Sequence, residues 1–191
     1  IDDSTMGAYS GCYKLAVFMT LFVQAFRLGA EPFFFNYAKR QDAPKVYALI
    51  MKYFVVFGGF LLLTIGVCIE PLKEALIRRP EYWVAIDIVP IILLANLFLG
   101  IYHNLSVWYK LTDRTSVGMY ISLTAALATI ALNIWLIPWV GFIGAAWATL
   151  LAYGGMALTS YVWSRKHYPI PYATTRILGY MVLSVGLCAL H

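Results

Sequence analysis

Residues 117–163 read VGMYISLTAALATIALNIWLIPWVGFIGAAWATLLAYGGMALTSYVW, and not one of them is Asp, Glu, Lys or Arg. Two apolar runs, Val117–Ile137 and Phe142–Trp163, flank the short sequence Pro138-Trp139-Val140-Gly141. Each run is close to the ~20 residues that a helix needs to cross the hydrocarbon core of a bilayer. In lipid a chain must satisfy its backbone within itself, so both runs are predicted as transmembrane helices joined by a tight turn. Ser122, Thr129 and Asn133 form a polar stripe along the first helix. In the second, small residues recur at Gly141, Gly144 or Ala145, Ala148, Ala152 and Gly155, a spacing that lets helices approach closely.

The same reading extends outward. The chain has 191 residues, 62% hydrophobic and 12% charged, with mean hydropathy +0.76. A soluble domain carries about 25% charged residues. Four further apolar runs cover Gly7–Phe35, Val46–Ile69, Trp83–Tyr109 and Ile177–Leu190. With their flanks, the six helices are expected at about 4–38, 45–69, 82–110, 115–138, 141–165 and 173–191. The fold class is therefore an all-α polytopic membrane protein, with five full transmembrane helices and a truncated sixth. The first and third runs are long enough to demand tilt or a kink, and Pro32 and Pro90 are the candidate kink sites. A start at Ile1 and a short last run point to an internal piece of a longer protein.

Lys and Arg set the orientation. Lys39, Arg40, Lys45, Lys110, Arg114, Arg165, Lys166 and Arg176 fall on one side, against Lys73, Arg78 and Arg79 on the other. The KRQDAPK, KLTDR and SRKHYPIPY connectors are thus predicted to be cytoplasmic. Asp2-Asp3 and EPLKEALIRRPEY then face outward, the latter as a short surface helix. Trp83, Trp108, Trp139 and Trp163 lie near span ends, as an interfacial aromatic belt requires. The net charge of +5 is explained by these connectors and implies no nucleic-acid partner. Cys12, Cys68 and Cys188 sit in apolar runs, as small hydrophobes rather than a disulfide or metal framework. No phosphate-binding loop, HExxH, CxxC or GxSxG occurs. The connectors are short, so neither an enzyme activity nor a cofactor is expected.

Charge inside the first span needs explaining. FRLGAEPFFF, residues 26–35, places Arg27 and Glu31 four apart, with Gln24 three before Arg27 on the same helix face. An arginine at mid-bilayer costs about 2.5–3.5 kcal/mol on insertion scales, which a water-filled cavity or a partner would offset. The plainer alternative is an Arg27 that snorkels to the cytoplasmic interface. Lys14 points to another side of this helix, either into a wide cavity or outward to the far interface. In the third span Asn96, Gly100, His103 and Lys110 share a stripe, with Asn104 beside it. It either lines a cavity or makes interhelical hydrogen bonds.

The motif NIWLIPWVGFIGAAWATLLAY, residues 133–153, resembles the N-x-x-L-I-P-x-x-G-x-x-G-A-A-x-A-T signature of polysaccharide-export flippases. These belong to the multidrug/oligosaccharidyl-lipid/polysaccharide exporter superfamily. Residues 7–35, which start Gly7-Ala8-Tyr9 and carry Pro32 near their end, are similar to the second helix of that fold's C-terminal lobe. Residues 88–115 are similar to the fourth helix and its cytoplasmic loop. The resemblance implies a two-lobe exporter fold, with this chain as part of the C-terminal lobe and the N-terminal lobe absent. It implies transport of a lipid-linked oligosaccharide, an undecaprenyl-pyrophosphate-linked repeat unit, from the inner to the outer leaflet of the bacterial cytoplasmic membrane, for surface polysaccharide such as the O-antigen of lipopolysaccharide. Arg27 would then contact the pyrophosphate and Glu31 would orient it. Gln24, Lys14, Asn96, His103 and Asn104 would complete the cavity. Partners would be the cargo, membrane lipid, a coupling ion and the missing lobe. The alternatives are a cation-coupled multidrug exporter of the same superfamily, whose cavity should favour acids, and a non-catalytic membrane subunit. A polysaccharide polymerase would need a larger outer loop.

Overall fold

The computed structural model describes residues 3–77, 83 and 86–189. Asp2, Arg78, Arg79 and Leu190, all invoked above, lie outside the described residues. The order is α1 (Asp3–Tyr37), α2 (Ala43–Val67), α3 (Ile69–Leu76), α4 (Ile88–Leu105), α5 (Val107–Leu111), α6 (Thr115–Val140), α7 (Phe142–His167) and α8 (Thr174–Ala189). Among the described residues there is no strand, and five segments are long and apolar enough to cross a membrane. The all-helical polytopic architecture is as the apolar runs predicted. Helix α8 is the shorter apolar sixth.

Helix α4 is the centre of the bundle. It packs against α1, α2 and α7, while α6 packs mainly on α7 and α8 lies along α2. Of the apolar stretch of α4, 67% is buried, against 6% for α6. Helix α6 therefore turns Met119, Leu123, Leu127, Ile134 and Trp135 outward. On a membrane protein such a surface meets lipid or another helix, so its apolarity all round is physically consistent.

Close contact at the centre depends on Gly100. A Cβ there would overlap the Phe54 ring of α2 and press on Val23 of α1. Phe54 is stacked on Phe22, with centroids 5.3 Å apart, and tilted against Phe26 at 4.6 Å. One ring thus ties α1, α2 and α4 together.

The turn between α6 and α7 is tighter than its sequence suggested. Pro138, Trp139 and Val140 complete α6, and Gly141 alone makes the reversal, at φ +66° and ψ −144°. A side chain is strained in that region, so glycine is needed here. Three residues on, a Cβ at Gly144 would lie 2.8 Å from the Leu136 carbonyl oxygen. Of the small residues predicted to form the packing stripe, Gly144, Ala148 and Ala152 are buried, while Gly155 is exposed and touches nothing at its Cβ position. Gly141, the first member, is exposed too, so the buried part of the stripe runs from Gly144 to Ala152.

Pro32 lies within the continuous helix α1. Pro90 is not a kink site. It sits in the first turn of α4, where an N–H would have no intrahelical acceptor anyway. The break in the third span comes instead at Ser106, between α4 and α5. The Ser106 hydroxyl donates to the His103 carbonyl at 2.6 Å, a local bond that competes with the helix ladder.

The tryptophans divide. Trp139 is 82% exposed, as an interfacial residue should be, but Trp108 is fully buried. It stacks on His167 at the end of α7, with centroids 5.3 Å apart. Trp108 is a packing residue, and its place in the expected belt is corrected. The surface helix exists as α3, where Lys73 pairs with Glu70 at 2.5 Å and lies 4.8 Å from the centre of the Trp83 ring.

Candidate functional site

The charged residues of α1 follow from its packing. Cys12, Leu15, Ala16, Met19, Val23 and Phe34 are buried, a spacing that at about 3.6 residues per turn defines one covered side. Arg27 and Glu31 fall on the flank of that side and are half-buried, while Gln24 is exposed. Arg27 Nε lies 3.5 Å from Glu31 Oε1. The i,i+4 pair anticipated from spacing is present.

A third charge joins it from elsewhere in the chain. Lys110, in the last turn of α5, donates from Nζ to the same Glu31 Oε1. Side-chain exposure is 39% for Arg27, 32% for Glu31 and 25% for Lys110, so none of the three is sealed within the described residues. Two cations on one carboxylate give the trio a net charge of +1. Glu31 is six residues before the end of α1, or ~9 Å along the axis. The cluster thus lies toward the end that charge counting assigns to the cytoplasm. His103, seven residues before Lys110 on the same span, is half-buried.

The other predicted residues are dispersed. Lys14 is exposed, and lies ~100–140° around α1 from Glu31 and Arg27. Asn96 and Asn104 are buried in the packed faces of α4. Asn104 Nδ2 donates to the Gly100 carbonyl at 3.2 Å, whereas Asn96 Nδ2 and Asn104 Oδ1 have no hydrogen-bond partner among the described residues. The third-span stripe therefore divides: Asn96 and Asn104 meet protein, and Lys110 at its end meets Glu31.

Sequence reasoning placed Lys110 on the stripe but missed its role in the cluster. The only signal was its spacing from His103; nothing local links it to α1. It also passed over Lys52, half-buried inside α2 with its ammonium 5.7 Å from the centre of the Tyr53 ring. The loop beneath the cluster is pinned. Tyr37 donates to Asp42 at 2.7 Å, Tyr47 donates to the Phe34 carbonyl at 2.7 Å, and the Arg40 guanidinium lies 4.6 Å from the centre of the Tyr37 ring.

Two apolar cavities lie apart from the cluster. One, of about 330 Å³, is bounded by Met51, Phe98, Ala157, Tyr172 and Met181 among others. Burial, with Tyr168 and Tyr161 nearby, pushes the Tyr172 phenol up from its ordinary value. The other, of about 260 Å³, is bounded by Leu62, Pro90, Leu94, Trp147 and Cys188 among others. None of the predicted site residues lines either cavity. Among the described residues, no group of His, Cys, Asp and Glu is arranged to hold a metal.

Five spanning segments with α4 at their centre, and a partly open cationic cluster between α1 and α5, define a multi-pass membrane protein with polar chemistry inside its spans. The MatE family model matches residues 1–135, well over half of the chain. The chain belongs to the MatE family, membrane exporters of the multidrug/oligosaccharidyl-lipid/polysaccharide superfamily, whose members are transporters rather than catalysts. The matched region covers α1 to α5 and most of α6, so it contains the whole cluster and ends near the start of the 133–153 motif. No curated protein and no solved structure gives a significant match.

Proposed function

We infer that the protein exports an anionic lipid-linked oligosaccharide, moving an undecaprenyl-pyrophosphate-linked repeat unit from the inner to the outer leaflet of a bacterial cytoplasmic membrane. The observation that carries this reading is the net positive, half-buried trio of Arg27, Lys110 and Glu31 between α1 and α5. A guanidinium matches phosphate oxygens as a fork and stays charged at any working pH. Arg27 is the pyrophosphate contact in this reading. Gln24, one turn deeper, and His103 offer hydrogen bonds to the first sugars. The 133–153 motif adds support from the flippase branch of the superfamily. Transport would follow by rocking of this lobe against another, exposing the site alternately to each side, with a coupling ion as energy source.

The test is to delete the parent gene and locate the lipid-linked oligosaccharide. Accumulation on the cytoplasmic leaflet, reversed by the intact gene, is expected. Normal delivery outward, together with new sensitivity to cationic drugs, would replace this reading with a multidrug exporter.

A further inference from the structure

By sequence Lys110 ends the third-span stripe at the edge of a connector, and nothing local links it to α1. In the fold its ammonium reaches across to α1 and meets the carboxylate oxygen that Arg27 also approaches. A simple interhelical lock needs one cation and one anion. Here two cations from different helices converge on one oxygen and leave a positive excess. Like charges held together repel, and the repulsion is larger where the effective dielectric is low. An anion with more charge and more oxygens than a carboxylate would satisfy the two cations better than Glu31 does.

We propose that Lys110 is a second cargo-binding cation, and that the Glu31 carboxylate occupies the anion position when no cargo is present. The arriving pyrophosphate displaces Glu31 from Arg27 and Lys110, and Glu31 returns to both on release. No bond is made or broken; one anion exchanges for another. This inference rests on the anionic-cargo reading above and adds to it a second contact and a built-in competitor. A competitor has a clear use in a transporter, because a site that only attracts its cargo would hold it too tightly to let go. Partial exposure of all three side chains leaves room for the exchange. The shared chemistry is a lipid-borne phosphate, which either the cargo or an anionic phospholipid of the inner leaflet would present.

The experiment uses the intact protein in phosphatidylcholine nanodiscs, with farnesyl pyrophosphate as the probe and binding read by native mass spectrometry. Lys110→Met should weaken binding by about tenfold or more, the scale of one lost charged hydrogen bond. Lys110→Arg should stay within about threefold of wild type, and Glu31→Gln should bind several-fold tighter, on the same conversion. If Arg27→Ala loses binding while Lys110→Met keeps it, the Lys110 inference falls and the anionic-cargo reading survives. Absence of probe binding by the wild type would overturn that reading itself. If phosphatidylglycerol displaces the probe at equal concentration and shows the same losses across the variants, the site belongs to leaflet lipid and the cargo assignment is wrong. Should Lys110→Met fail to elute as a monodisperse protein, Glu31→Gln decides, since binding that weakens or stays level makes Glu31 a positioning residue and not a competitor.

Discussion

Replacing Gly144 by alanine tests the α6–α7 hairpin directly. The added methyl would sit 2.8 Å from the Leu136 carbonyl oxygen and 2.9 Å from its carbonyl carbon. Both atoms are backbone, so no rotamer change relieves the contact and the helices themselves must separate. Forcing a methyl into a filled site costs about 1–3 kcal/mol. Alanine recovers up to ~1 kcal/mol of helix propensity over glycine. With the full propensity gain the balance is a loss of up to about 2 kcal/mol. For a chain of this length each kcal/mol moves the midpoint by about 2–4 °C, so Tm should fall by up to about 8 °C. Gly154→Ala is the matched control on the same helix, because its Cβ position has nothing within 4 Å. It should leave Tm level or slightly raised. Thermal unfolding of the two purified variants in detergent, followed by intrinsic tryptophan fluorescence, makes the comparison. A Gly144→Ala midpoint equal to or above that of Gly154→Ala would refute the close approach of α6 and α7.

Arg27→Ala should cripple export at normal protein level while Arg27→Lys does less damage, measured by surface polysaccharide in the deletion strain; near-normal export in both would leave interfacial snorkelling as the role of Arg27. A cysteine at Gln41, in a background lacking the native cysteines, should resist an impermeant thiol reagent in intact cells and react once they are opened, and ready labelling of intact cells would invert the orientation. Trp108→Ala should cost about 3–5 kcal/mol, the range for a large buried aromatic, and lower the level of folded protein. Trp139→Ala, at an exposed position, should not, so equal levels of the two variants on a quantitative blot would show that Trp108 is not a core residue.

Spans were legible because lipid imposes one rule on every residue of a run. Val117–Ile137 and Phe142–Trp163 could be read as helices without reference to any neighbour, since composition and length suffice. The Arg27–Glu31 pair was legible for the same reason, as a contact set by the helical repeat alone. Trp108 was not. A tryptophan at a span end meets either lipid or protein, and only the arrival of His167 from α7 decides between them. The Ser106 break was hidden too, because a serine hydroxyl bonded to its own helix leaves no composition signal.

By itself, then, the sequence determined that this chain is a set of helices long and apolar enough to cross a membrane, and which residues share a face of each. Those properties are local and depend on solvent transfer and a fixed helical period. The tertiary structure alone decided which faces meet. It buried Asn96 and Asn104 in α4, left Gln24 and Lys14 outside, and drew Lys110 onto Glu31 from far along the chain. Such a contact depends on how α1 and α4–α5 cross, which packing around Gly100 and Phe54 sets, and no periodicity within either helix encodes it.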